Sequence, residues 1–170
     1  MNNDLAVHVA RLAGYLSGLA ALDGDIRQYT ASAFVVSGKD SSESPEAMIH
    51  HFYAAQTDIH FSSSQNLAGG LGDLERELRD YVIRRPWGLP EQAIAPHLID
   101  SRRHFLAFRI MDMIAVIAPE ARNLRSVYKL ESKGSGTDSE LTFFCIRTDA
   151  GLLVLQFNDD SPFMRAHSTS

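Results

Sequence analysis

Residues 141–157 read LTFFCIRTDAGLLVLQF, and this stretch decides the fold. Two runs rich in Phe, Ile, Val and Leu flank the tripeptide at 149–151, where Gly151 is free to adopt a positive φ, and this pattern predicts a tight β-hairpin. Both runs are apolar at consecutive positions, so each face of the hairpin needs a cover. Together with the β-rich run at 124–131, they predict an antiparallel three-stranded meander over about residues 124–157, packed against helices.

The most apolar segment lies just upstream, at residues 101–118, which read SRRHFLAFRIMDMIAVIA. Its apolar side chains cover most of the circumference of a helix, a pattern typical of a helix that is buried on all sides. Its length and its Met and Ala content favour a helix over a pair of strands. The two charged residues near its centre, Arg109 and Asp112, are three residues apart and are expected to pair on one side of this helix.

The N-terminal segment predicts an amphipathic helix over residues 5–22. Large apolar residues recur at helical spacing along one side: Leu5, Val9, Leu12, Leu16 and Leu19. A second line consists of small residues, which permit another backbone to approach closely: Ala10, Gly14, Gly18 and Ala21. We expect this line to pack either inside the domain or across a homodimer formed through helix 5–22.

Residues 29–37 are rich in β-forming side chains and are expected to extend the meander by a strand. Ser44, Pro45 and Glu46 form a helix start, with a capping serine and a proline at the first helical position. A further helix is predicted over about 73–84. The polar stretch 62–72 is expected to be loop, and only the few residues before it, at 58–61, suit a short strand or an extended connection.

These elements predict an α+β fold. Its helix-rich N-terminal two-thirds surround a buried central helix at about 101–118, and they pack on the C-terminal meander at about 124–157. A chain of 170 residues with 45% hydrophobic and 22% charged residues is typical of one globular domain, here residues 1–170. Residues 161–170 are expected to form a flexible tail.

Composition also indicates the cellular compartment. The single cysteine, Cys145, excludes an intrachain disulfide and is expected to lie buried in a strand, which fits a reducing environment such as the cytoplasm. No basic leader is visible, and no run approaches the roughly 20 apolar residues of a membrane span. We therefore expect a cytoplasmic protein that does not enter a membrane.

The sequence carries no recognisable motif for catalysis or metal binding. His50, His51 and His60 lie close in sequence, but adjacent histidines on a helix point about 100° apart and do not readily share one ion. The sequence has no nucleophile elbow. The glycines before residue 73 suit a phosphate loop, but Asp73 is expected to cap the helix instead and to occupy the same amides. No catalytic residue, metal site or cofactor is predicted.

Two sets of surface residues are candidates for binding another protein. Arg84, Arg85 and Trp87 follow a helix and belong to the residue types that dominate interface hot spots. Asp159 and Asp160 end the last strand, and the net charge of −5 favours a basic partner through electrostatic steering. The sequence therefore favours a small protein-binding module of the immunity, adaptor or chaperone type, without catalytic activity.

Two alternatives remain open. Arg102, Arg103 and Arg109 are candidate anion ligands of a small-molecule-binding or enzymatic domain, whose pocket would lie between the central helix and the sheet near Arg109. Nucleic-acid binding is the other, through the arginines at 84, 85, 102 and 103 and the tryptophan at 87. It is disfavoured because the chain lacks the basic balance that such proteins normally show.

Overall fold

A computed structural model describes residues 3–23, 29–37, 42–53, 59–82, 96–119, 126–134 and 140–159. These residues form an α+β fold, as the sequence predicted. The elements in chain order are α1 (Asn3–Asp23), β1 (Tyr29–Val36), α2 (Pro45–Tyr53), β2 (Ile59–Asn66), α3 (Leu71–Val82), α4 (Pro96–Ile117), β3 (Val127–Gly134), β4 (Glu140–Thr148) and β5 (Gly151–Asp159). The predicted tail at 161–170 lies outside the described residues.

The strands form one antiparallel sheet with the order β1-β5-β4-β3-β2. The C-terminal meander is confirmed as the three middle strands of this sheet. Strand β1 pairs with β5 from Tyr29 opposite Asp159 to Val36 opposite Leu152, so the predicted extension by residues 29–37 is also confirmed. The N-terminal half of the chain therefore supplies both outer strands of a sheet whose middle is C-terminal.

The sheet has five strands, so the three-stranded description from the sequence was wrong in strand number. The unexpected outer strand is β2, which covers residues 62–66 that were expected to be loop. Its sequence, IHFSSSQN, lacks the apolar alternation of a half-buried strand, and Ser62 to Asn66 are exposed. Burial of Ile59 anchors only the start of this strand, and backbone pairing with β3 holds the exposed remainder in place.

The hairpin between β4 and β5 turns where the sequence predicted. Gly151 has a φ of 129°, a conformation that residues with a Cβ rarely adopt. A Cβ at this position would also collide with the backbone oxygen of Val36 in β1. Both constraints require glycine at this turn, which fixes the register of β4 and β5 and the place where β1 joins them.

Each face of the sheet carries a hydrophobic core. Helices α1, α3 and α4 cover what we call the three-helix face, whose sheet residues include Ala31, Ala33, Val127, Phe144, Ile146, Leu153, Leu155 and Phe157. Helix α2 packs on the opposite face, here the α2 face, with Val36, Leu130, Phe143, Cys145, Leu152 and Val154 beneath it. The two apolar strands β4 and β5 are therefore covered on both faces, as their sequences required.

Helix α1 runs along the outer strand β1. Val9, Leu12 and Leu16 of its predicted apolar side are buried, and the small side chains of Ala31 and Ala33 leave room for the helix to lie close to the strand. The Ser17 hydroxyl donates a hydrogen bond to the backbone carbonyl of Ala31 at 2.9 Å. The helix thus satisfies a polar group on a strand that has no further strand beside it.

The helix starts follow local capping rules. In α2, the Ser44 hydroxyl accepts a hydrogen bond from the amide of Ala47 at 3.2 Å, which confirms the predicted start at Pro45. In α3, the Asp73 carboxylate accepts one from the amide of Gly69 at 2.7 Å. The helix begins at Leu71 and not at 73, so Asp73 lies in its first turn and not at the cap position that the sequence indicated. Its carboxylate still occupies an amide that a phosphate loop would need free.

Helix α4 differs from its prediction in length and in burial. It begins at Pro96, a residue suited to the first helical turn, and not at 101. The expectation of a central helix buried all round was wrong. Ala107, Ile110 and Ile114 are fully buried on one side, whereas the opposite side faces solvent. None of the helices in the described part of the chain is long and apolar enough to cross a membrane.

Candidate interaction surface

The solvent-facing side of α4 exposes large apolar side chains. Phe105 is 61% exposed, Val116 is 58% exposed and Phe108 is 49% exposed. Between them lie the exposed charges of Arg109 and Asp112. We call these five residues the α4 ridge. The positions 105, 109, 112 and 116 are separated by four, three and four residues, so they form one line along the helix.

The ridge exists because α4 is apolar on two sides. Its inner side packs with α1, α3 and the sheet, and Ile110, Ile114 and Ile117 belong to that core. The ridge residues project from the other side, since an α-helix turns by about 100° per residue. The outer side of a helix on a globular domain normally carries polar residues, so exposed Phe and Val side chains on this side make it a candidate interaction surface.

The charge pair at the centre of the ridge is weak. The Arg109 Nη1 and Asp112 Oδ2 atoms are 3.4 Å apart, and the two side chains are 51% and 48% exposed. This confirms the predicted pairing on one side of the helix, but a separation beyond about 3 Å and this exposure leave little net energy. Both groups are therefore able to exchange this contact for another partner at small cost.

Helix α1 borders the ridge at Tyr15. Burial raises the pKa of the Tyr15 hydroxyl above its usual value, and the positive charge of Arg109 opposes that rise. The α1 residues Gly14 and Gly18 are exposed, and a Cβ built at either one would meet no atom within 4 Å. Of the two roles expected for the small-residue line, close packing inside the domain is therefore not found among the described residues.

The predicted anion ligands lie on the same helix. Arg102 is exposed and Arg103 is half-buried, while Arg109 lies on the outer side of α4. The space between α4 and the sheet is filled by apolar side chains, and Arg109 does not point into it. The geometry thus gives no support to a pocket anchored there by Arg109, and anion binding stays a prediction.

The other predicted binding residues cannot be placed together. Arg84, Arg85, Trp87 and Asp160 lie outside the described residues. Asp159 is the last residue of β5, opposite Tyr29 of β1, and only its backbone position is described. Their roles in binding a protein or a nucleic acid stay predictions.

A partly buried ion cluster links α3 to the sheet, and sequence reasoning missed it. The Lys129 ammonium lies 3.0 Å from a carboxylate oxygen of Glu77 in α3 and 3.0 Å from one of Glu131 in β3. It also lies 5.6 Å from the ring centre of Tyr81. The only signal in the sequence was a lysine alternating with apolar residues along a strand, which is too common to identify a cluster.

The ionisation of this cluster is strongly biased. Burial acts to lower the pKa of Lys129, but its hydrogen bonds to Glu77 and Glu131 outweigh burial and raise the pKa above its ordinary value. Partial burial acts to raise the pKa of Glu131, but hydrogen bonds from Lys129 and Ser63 hold it below 4.5. A lysine that is charged and fully paired is suited to joining α3 to the sheet and not to proton transfer.

The α2 face has its own exposed aromatic residue. Phe52 is 49% exposed, but its ring stacks on Phe34 of β1 with 4.8 Å between ring centres. Its neighbour Tyr53 donates a hydrogen bond to the Gln156 side chain at 2.6 Å. Burial raises the pKa of Tyr53, and the bond to Gln156 opposes the rise. Part of the exposed Phe52 ring is therefore in contact with another aromatic side chain of the fold.

Chemistry-bearing residues are sparse in the described regions. No group of three or more His, Cys, Asp or Glu side chains able to hold a metal ion occurs among them. Cys145 is fully buried in β4, as predicted, and burial together with the charge of Glu46 raises the pKa of its thiol. A thiol in that state is a poor nucleophile.

Comparison with known proteins adds no assignment. No model of a known protein family matches the sequence, and no curated protein matches it. The α4 ridge is therefore interpreted from its geometry and composition.

Proposed function

We propose that this protein is a protein-binding module and that it contacts its partner through the α4 ridge. The observation that carries the proposal is the line of three large apolar side chains, each about half exposed or more, on one side of α4. Phe and Arg are enriched at protein interfaces, and large apolar side chains exposed on one side of a helix lower the solubility of a folded domain unless they are covered.

The ridge also has the organisation of a binding site and not of a scattered surface. An apolar group stands at each end, Phe105 and Val116, and the exposed pair of Arg109 and Asp112 stands between them. Apolar contacts supply most of the binding energy in such an arrangement, and the charges select the orientation of the partner. An immunity, adaptor or chaperone role fits this arrangement, since each works by binding a protein.

Site-specific photo-crosslinking in cells that express the chain tests this proposal. A benzophenone amino acid is placed at 105, 108 or 116, and as a matched control at 52, where an equally exposed phenylalanine lies on the α2 face. We expect the three ridge positions to give discrete protein adducts, and we expect these adducts to be absent when the benzophenone is at position 52. The proposal fails if the ridge positions give no protein adduct or give only the adducts that position 52 also gives.

A further inference from the structure

We propose that the partner of the α4 ridge is a second copy of this chain. The two α4 helices pack antiparallel, and the two-fold axis lies between them at the level of residues 110 and 111. This inference rests on the proposed function and names the occupant of the same surface. A two-fold interface requires that residue i of one copy contacts residue j of the other and that j contacts i. The ridge meets this requirement.

The residues at equal distances on either side of the proposed axis are chemically complementary. Position 105 is as far from the proposed axis as position 116, and both are apolar. Position 109 is as far from it as position 112, and these carry opposite charges. Antiparallel pairing therefore places Phe105 on Val116 of the other copy twice, and Arg109 on Asp112 of the other copy twice.

The charges select this orientation. In a parallel pairing, Arg109 would face Arg109 of the other copy and Asp112 would face Asp112. Like charges at close range repel each other. In the antiparallel pairing, both acids face arginines at the centre of the contact, where surrounding apolar groups exclude water. The intrahelical contact that is exchanged is weak, at 3.4 Å and about half exposed.

The spacing of the ridge also suits a helix as the occupant. Steps of four, three and four residues are those of the core positions in a two-stranded coiled coil, in which side chains of one helix fit between those of the next. Burying Phe105 and Val116, at 61% and 58% exposure, removes from solvent the two most exposed large apolar side chains of the described helices. Phe108, on the flank of this line, extends the apolar contact.

Charge reversal tests the proposal on the purified full-length chain. We measure mass by sedimentation velocity at tens of micromolar, and we expect a dimer for the unmodified protein. Arg109→Asp or Asp112→Arg alone brings like charges together at the axis, and each is expected to weaken the dimer by about 10-fold or more in dissociation constant. The double variant restores complementary charges in swapped positions, and we expect it to dimerise again.

The controls separate loss of contact from loss of fold. Ridge side chains are exposed, so the single variants should keep the circular dichroism spectrum of the parent. Phe105→Ser should raise the dissociation constant of the dimer without abolishing dimerisation, whereas Phe52→Ser, on the α2 face, should leave the dissociation constant unchanged. A dimer that survives both charge reversals, or that is lost only on Gly14→Leu in α1, would overturn the proposal and place the interface elsewhere.

Cysteine crosslinking tests the register. Antiparallel pairing brings position 105 of one copy against 116 of the other, while the two copies of position 105 lie roughly 16 Å apart along the helices, too far for a disulfide. A mixture of Phe105→Cys and Val116→Cys chains should form a mixed crosslinked dimer. Each chain alone should not crosslink, because the two introduced cysteines of its dimer lie too far apart. Cys145 is fully buried and does not compete. Crosslinking of Phe105→Cys with itself would contradict the antiparallel register.

The self-pairing proposal and the protein-binding proposal can fail separately. A chain that is monomeric at all concentrations overturns the self-pairing proposal. The protein-binding proposal would still hold if ridge positions then crosslink to proteins other than the chain itself. Absence of every ridge adduct would remove both.

Discussion

Lys129 shows how one side chain joins two layers of this fold. Its side chain is 15% exposed, and its ammonium contacts Glu77 of α3 and Glu131 of β3. The phenol of Tyr81 accepts a hydrogen bond from Thr142 next to this group. The cluster fixes the position of α3 over β3 by directional contacts, in addition to the apolar packing around it.

Replacing this lysine should destabilise the protein in a pH-dependent way. Lys129→Met keeps the apolar stem but leaves two carboxylates facing each other, and we expect a loss of about 1–3 kcal/mol at pH 7 in urea unfolding. The pKa of Glu131 is held below 4.5 in the folded protein, so its stabilising contribution is complete above pH 4.5 and is lost as the pH falls through the lowered value. The difference between variant and parent should therefore shrink in acid.

A matched substitution at an exposed ion pair provides the control. Arg76 contacts Asp73 at 2.9 Å, but its side chain is 69% exposed, so Arg76→Met should cost less than about 0.5 kcal/mol. Equal destabilisation of the Lys129 variant at pH 3 and pH 7 would show that its contribution is packing alone.

At the scale of the element, α4 has two apolar sides with different roles. The sequence predicted a helix here, and the structure confirms it. The sequence pattern does not distinguish a helix that its own domain buries on all sides from one that leaves an apolar side exposed. Both are apolar nearly all round. For this reason Phe105, Phe108 and Val116 were expected in the core and lie on the surface, while the pairing of Arg109 with Asp112 was predicted correctly.

Truncation on the two sides of α4 should give opposite results. Ile110→Ala removes fully buried methyl groups and should lower the free energy of unfolding by about 2–5 kcal/mol. Phe105→Ala, on the ridge, should change it by less than about 0.5 kcal/mol when unfolding is measured at a concentration too low for self-association. Similar losses for both would show that the ridge packs within its own domain.

Among the strands, the predictions succeeded where burial leaves a pattern. Strands β4 and β5 carry continuous apolar runs because both of their faces are covered, and the hairpin between them was predicted at the correct residues. The second part of strand β2 was wrongly expected to be loop because Ser62 to Asn66 are exposed and are positioned by backbone pairing and by hydroxyls. The Ser63 hydroxyl bonds to Glu131 and the Ser64 hydroxyl bonds to Glu46. Contacts between distant segments of this kind leave no periodic signal in a sequence.

At the scale of the whole molecule, the sheet should be least stable at one border. Strand β4 lies at the centre with buried residues on both faces, whereas β2 is an outer strand with exposed side chains. Local openings follow burial, so we expect β4 amides to exchange hydrogen most slowly and β2 amides fastest among the strands. Strand β1, also outer but covered by α1, should fall between them. Native-state hydrogen exchange measures this order, and β2 protection equal to that of β4 would contradict it.

The placement of β1 and β2 at opposite borders of the sheet has a consequence for synthesis on the ribosome. Strand β1 pairs with β5, and β2 pairs with β3, so both leave the ribosome before any strand that pairs with them has been made. Tyr29 cannot pair with Asp159 until Asp159 has left the ribosome. The nascent N-terminal half therefore carries apolar helix faces and two unpaired strands until the C-terminal meander has been made, and the sheet is completed only after β5 has emerged.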